Sequence, residues 1–132
     1  MANSLEGKTV LWVEDDNFLG GLIAKKLTNE GANVMYTSTG EDALEQLKDA
    51  VPHFILADIL LPGKDGFEVL EFVKNDERLK DIPVILFSNL NQEEDMKKGR
   101  ELGAEAFFVK SNVVPEQVIE KIKEILSERQ NS

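Results

Sequence analysis

The sequence predicts a doubly wound α/β fold built on a five-stranded parallel sheet. Five short apolar runs, Thr9–Val13, Asn33–Tyr36, Phe54–Ala57, Pro83–Phe87 and Ala106–Val109, recur at intervals of roughly 20 to 30 residues. Four of them are continuous rather than alternating hydrophobics, the habit of strands covered on both faces. Helical patterns with identifiable ends fill the gaps between them. A βα unit repeated five times implies right-handed crossovers and helices on both faces of the sheet.

Each element has its own signature. The second run, Asn33-Val-Met-Tyr36, is shorter and more polar and suits a strand near an edge. Phe18, Leu19, Leu22, Ile23 and Leu27 give the first helix an apolar stripe, with Asp16 as its cap and Gly31 as its stop. Gly20 and Gly21 lie inside that helix and cost about 1 kcal/mol each relative to alanine. Asn17, Gly21, Ala24 and Thr28 then form a small, flat outer face that a partner helix would fit. Thr39 with Asp42, and Asp65 with Glu68, read as capping pairs, the latter opening a helix with Phe67, Leu70 and Val73. Asn91 is expected to cap a polar helix ending near Gly103. Pro115 suits the first turn of the last helix, where Val118, Ile119, Ile122, Ile125 and Leu126 line one face.

Composition narrows the function. A chain of 132 residues is one domain by default, and no linker or repeat divides it. It has 25 acidic and 15 basic residues, a net charge of −10, which repels nucleic acid backbones. The absence of cysteine excludes disulfides, thiolate metal sites and cysteine nucleophiles. No apolar run approaches the ~20 residues of a membrane helix, and the start lacks the apolar core of a signal peptide. The expectation is a soluble cytoplasmic protein that engages neither membrane nor nucleic acid directly.

In such a sheet, ligands bind beyond the carboxyl ends of the strands. Glu14, Asp15 and Asp16 follow the first strand, Asp58 the third, Ser88 the fourth and Lys110 the fifth. Glu14, Asp15 and Asp58 bring about three negative charges together and Lys110 returns one, so the carboxylates must protonate or find a cation. Mg²⁺ suits the need, because it takes one or two carboxylates, keeps several waters and accepts a phosphate. The set matches phosphoryl transfer: a carboxylate nucleophile at Asp58, with Lys110 and Ser88 stabilising the phosphoryl oxygens. His53, the only histidine, is expected at the surface and supplies no internal phosphodonor.

These residues resemble a response-regulator receiver domain of two-component signalling. Val10-Leu-Trp-Val-Glu-Asp-Asp16 is similar to its first strand and acidic pair. Phe54-Ile-Leu-Ala-Asp-Ile-Leu-Leu-Pro-Gly-Lys-Asp-Gly66 is similar to its phosphoacceptor segment. Pro83-Val-Ile-Leu-Phe-Ser88 and Gly103-Ala-Glu-Ala-Phe-Phe-Val-Lys110 are similar to its hydroxyl and lysine segments. The resemblance covers about residues 8–128 of a single domain, 1–132. It implies strand order 2-1-3-4-5, Asp58 as phosphoacceptor, and Mg²⁺ held by Glu14, Asp15, Asp58 and the backbone carbonyl of Leu60. It further implies phosphoryl contacts from Ser88 and Lys110, a switch made of Ser88 and Phe107, and turnover tuned by Leu60, Asn89 and Leu90. The donor would be a sensor histidine kinase or histidine phosphotransfer protein. The output would pass to a downstream protein through the surface of the fourth helix, fifth strand and fifth helix. Two positions depart from the pattern: Asn89 replaces the usual alanine or glycine, and Ser111 the usual proline.

Other functions fit less well. A haloacid-dehalogenase-type phosphohydrolase would carry its nucleophile after the first strand and an aspartate two residues later, where this chain has Leu60. A receiver-like module that is never phosphorylated would have no need of the full acidic, hydroxyl and lysine set. A nucleotide- or flavin-binding domain would need glycine amides where Glu14-Asp-Asp-Asn-Phe-Leu-Gly20 offers carboxylates.

Overall fold

The computed structural model describes residues 5–90 and 92–130. Strands β1 (Thr9–Val13), β2 (Asn33–Thr37), β3 (Phe54–Ala57), β4 (Val84–Ser88) and β5 (Ala106–Val109) form one parallel sheet in the order β2-β1-β3-β4-β5. Helices α1 (Asn17–Asn29), α2 (Gly40–Asp49), α3 (Gly66–Lys74), α4 (Glu93–Glu101) and α5 (Pro115–Gln130) make the crossovers.

The continuous apolar strands feed two cores at once, since successive side chains point to opposite faces. Leu11, Val13, Ile55, Ala57, Val84 and Leu86 meet α2 and α3 on one face. Val10, Trp12, Phe54, Leu56, Ile85 and Phe87 meet α1 and α5 on the other. The helix ends follow their sequence signals. Asp16 accepts from the Phe18 and Leu19 amides, and Thr39 accepts from Asp42. Asp65 and Glu68 form a complete capping box. Gly31 takes the left-handed conformation, φ 97°, that ends α1.

Three expectations need correction. Leu22 is 37% exposed and outside the core, and Phe18, at 83%, does not join the apolar stripe of α1. Phe18 lies one helical step, about 100°, from the line Leu19–Ile23–Leu27 that faces the sheet. Strand β5, at the sheet edge, is only partly covered: Phe107 packs on one core and Ala106 and Phe108 on the other, and all three are half-buried. Helix α4 begins at Glu93 with Gln92 in the cap position and no side-chain cap hydrogen bond; Asn91 lies outside the described residues. Strand β2 also continues through Thr37, and β4 begins after Pro83, which has no amide to give the sheet.

Candidate functional site

Sheet register builds the site. Val13 pairs with Ala57, so the next residues, Glu14 and Asp58, emerge side by side. Val109 pairs with Ser88, so Lys110 leaves the sheet one residue beyond the end of β4. Gly66 sets the floor: its amide donates to the Ile59 carbonyl at 2.9 Å, and a Cβ there would overlap the Asp58 carbonyl. Only glycine lets the start of α3 sit this close to the phosphoacceptor segment.

The Lys110 ammonium joins the two buried carboxylates. Its Nζ donates to Asp58 Oδ2 at 2.7 Å and lies 2.7 Å from Glu14 Oε1. The second contact is an ion pair by distance, but its angles fall outside hydrogen-bond geometry, leaving Glu14 Oε1 buried without a hydrogen-bond partner. Glu14 Oε2 accepts from the Asp16 amide at 3.2 Å, and Asp58 Oδ1 accepts from the Leu60 amide at 3.2 Å. Asp15 is exposed at the mouth. Carboxylate oxygens of Glu14, Asp15 and Asp58 lie within 4.8 Å of one another.

Burial raises the Glu14 pKa to about 7; the Lys110 contact opposes that rise and the nearby Asp58 charge adds to it. Desolvation pulls the Lys110 ammonium down, but its hydrogen bond to Asp58 and its charge contact with Glu14 outweigh this and hold it above the usual lysine value. Three carboxylates face one ammonium, and Glu14 Oε1, buried, has among the described residues only the ion-pair contact with that ammonium and no hydrogen bond. This donor set fits a hard divalent cation.

Ser88 is fully buried at the end of β4. Its Oγ lies 3.5 Å from the Leu90 amide, at the limit of a hydrogen bond. Leu60 is 56% exposed, Asn89 is exposed, and Leu90 is half-buried against the α2–α3 core. Phe107 is half-buried against the same core. A Cβ on Gly99 would lie 3.4 Å from the Phe107 ring and 3.0 Å from Leu86 Cδ1. The chain after Lys110, where Ser111 stands, turns as a short 3-10 helix, Lys110–Asn112. His53 is exposed, as expected, and its Nδ1 accepts from the Thr9 amide at 3.0 Å.

Sequence reasoning missed Tyr36. Its hydroxyl donates to the Glu14 carbonyl at 2.9 Å. Desolvation, with the Glu14, Asp16 and Asp15 charges, raises its pKa above the usual phenol value, so it is a donor at neutral pH. The available signal was Gly20, a glycine inside a helix with no local reason to be there.

A five-stranded 2-1-3-4-5 sheet with an acidic cluster and one lysine at its carboxyl edge defines a phosphate-handling α/β domain of the receiver type. The response regulator receiver domain model matches residues 10–123, and the chain belongs to that family of phosphoacceptor signalling domains. The polar-differentiation response regulator DivK of Brucella ovis is 35% identical over 121 residues, 92% of this chain and 98% of DivK. The transcriptional regulatory protein AfsQ1 of Streptomyces coelicolor is 35% identical over 102 residues, 77% of this chain and 44% of AfsQ1. The chain therefore spans about half the length, or less, of the transcriptional regulators it matches. Among solved structures, a CheY-like receiver domain protein from Methanospirillum hungatei superimposes with a TM-score of 0.87 at 28% identity. It covers 94% of this chain and 97% of its own.

Proposed function

We propose that Asp58 accepts a phosphoryl group from a phosphohistidine on a sensor histidine kinase or histidine phosphotransfer protein. The observation that carries this reading is the bond from Lys110 Nζ to Asp58 Oδ2, 2.7 Å, made beside Glu14 and at the mouth formed by Asp15. A Mg²⁺ ion held by Glu14, Asp15, Asp58 and the Leu60 carbonyl would supply charge neutralisation for the incoming dianion.

Asp58 stands buried at the end of β3 with one oxygen engaged by Lys110 and the other by the Leu60 amide. One Asp58 oxygen attacks phosphorus, the phosphorus–nitrogen bond breaks, and the imidazole leaves with the electron pair and takes a proton. Lys110 follows the transferred group and balances its charge, and Ser88 donates its hydroxyl to a phosphoryl oxygen. About two new negative charges then sit beside Ser88 and Lys110. Ser88 moves toward them, Phe107 turns into the space it leaves, and the surface of α4, β5 and α5 changes for a downstream protein partner.

The protein is thus regulatory, promoting only its own phosphorylation and dephosphorylation. Its unit is the single domain 1–132, with a core of about 8–128, and it works in the cytoplasm. No helix among the described residues is long and apolar enough to cross a membrane. Incubation with Mg²⁺ and acetyl phosphate should add one phosphate by mass, and Asp58→Asn should add none. Equal labelling of Asp58→Asn would reject the phosphoacceptor assignment, and turnover of simple phosphate esters would instead favour a phosphohydrolase.

A further inference from the structure

The loop that carries Glu14 and Asp15 is held from outside the site by the end of β2. The Glu14 amide donates to the Thr37 carbonyl at 3.1 Å, and the Glu14 carbonyl accepts from the Tyr36 hydroxyl at 2.9 Å. Both peptide groups flanking Glu14 are therefore fixed by two consecutive residues of the neighbouring strand. The second of these is the Glu14–Asp15 peptide, which sets the direction in which the Asp15 side chain leaves the backbone.

Tyr36 can reach that carbonyl only because α1 gives way. A Cβ on Gly20 would overlap the Tyr36 hydroxyl and ring, whereas Gly21 faces open space. The Gly20 carbonyl accepts from Trp12 Nε1 at 2.9 Å, a buried bond, and the Trp12 and Tyr36 rings stack with centroids 6.5 Å apart. Two aromatic side chains, from β1 and β2, thus grip one glycine in the second turn of α1. That grip also fixes the helix start, since the Gly20 amide donates to the Asp16 carbonyl at 2.7 Å.

We propose that Tyr36 is a positioning residue for the metal-binding loop. Its hydroxyl holds the Glu14–Asp15 peptide in the orientation that presents the two carboxylates to a cation, and Gly20 is the clearance that lets it do so. The proposal rests on the reading of Glu14 and Asp15 as Mg²⁺ ligands. Tyr36 has no part in the phosphoryl chemistry itself, because it reaches the site only through backbone. It should therefore act on metal affinity and leave the transfer step unchanged once metal is saturating.

The test is calorimetric titration of Mg²⁺ into the full chain and into Tyr36→Phe, which keeps the ring and removes one hydrogen bond. Loss of one part-buried bond predicts an affinity weaker by about two- to tenfold. Labelling by acetyl phosphate at saturating Mg²⁺ should match the parent. Gly20→Ala, which displaces the ring, should weaken Mg²⁺ in the parent but add little in the Tyr36→Phe background, because both changes break the same contact. An unchanged Mg²⁺ affinity in folded Tyr36→Phe overturns the proposal, whatever happens to its melting temperature. A parent chain that binds no Mg²⁺ overturns the reading of the acidic site instead, so the two failures are separable.

Discussion

Lys110 Nζ lies 2.7 Å from Asp58 Oδ2 and 2.7 Å from Glu14 Oε1, so one ammonium serves two buried carboxylates from two other strands. It occupies the electrostatic role that a bound metal ion would also fill, and the two cations would compete for the same negative charge. Lys110→Met should therefore tighten Mg²⁺ binding, by at least about threefold, because one unit of repulsion is removed from a partly desolvated site. The same variant should lose most of the phosphorylation-induced change, since nothing then follows the phosphoryl group. Mg²⁺ affinity no higher than the parent's would show that the ammonium does not oppose the metal.

Asp15 is the exposed member of the acidic cluster, and no hydrogen bond from its side chain to another described residue would have to break for it to bind a metal. Asp15→Asn should weaken Mg²⁺ binding by roughly tenfold or more and slow phosphorylation by acetyl phosphate in parallel. Trp12, buried beneath the loop, offers fluorescence as the readout. An undiminished Mg²⁺ affinity would remove Asp15 from the ligand set.

Glu14 is pushed up to about 7, chiefly by burial. A carboxyl whose folded pKa is raised favours the fold while it is protonated. That contribution is complete below its ordinary value of 4.5 and is lost as the pH rises through about 7. Without Mg²⁺, Glu14→Gln should match the parent near pH 4.5 and exceed it near pH 8. The gain should be about 1–2 kcal/mol, less than full linkage because solvent screens a site open at one side. Urea melts across this range check it, and parallel curves for the two proteins would contradict the assignment.

Phosphate decay depends on whether a water can be oriented in line with the Asp58–phosphorus bond. Leu60 is half-exposed at the rim, while Leu90 leans into the α2–α3 core, and neither hydrogen-bonds through its side chain. Both leucines should make the phosphorylated state long-lived. Leu60→Asn and Leu90→Glu should each accelerate decay at constant Mg²⁺, the Leu60 change more strongly because Leu60 is the more open position. If neither loses phosphate faster than the parent, exposed Asn89 becomes the residue in control, and Asn89→Ala is the next measurement.

Gly99 is the buried residue of α4, the most polar of the helices. A Cβ there would press on Leu86 Cδ1 at 3.0 Å and meet the Phe107 ring at 3.4 Å. Beryllofluoride should shift amide signals from Asp58 through residues 88–110. Gly99→Ala should alter the Leu86 and Phe107 signals before any activation, by pressing on Leu86 Cδ1 and placing a methyl in contact with the ring. Shifts confined to the acidic cluster would refute the coupled switch.

Much of this protein was legible in order along the chain. Periodicity and turn chemistry are local, so the apolar runs and the caps at Asp16, Thr39 and Asp65 were readable residue by residue. The acidic cluster was legible too, because a parallel sheet sends every strand end to one edge, and Glu14, Asp58, Ser88 and Lys110 each follow or end a strand. What required tertiary structure depends on which strand lies beside which, and in what register. Sequence periodicity placed Phe18 in a stripe, yet only the packing angle of α1 decides that Leu19, Ile23 and Leu27 face the sheet and Phe18 faces solvent. The helix-breaking cost of Gly20 was visible, but its cause is a tyrosine on another strand that overlies it. Likewise the sequence placed Lys110 near two carboxylates, while the strand register decided that it touches both. Local free energies set the elements; the long-range contacts between side chains separated in sequence set the site.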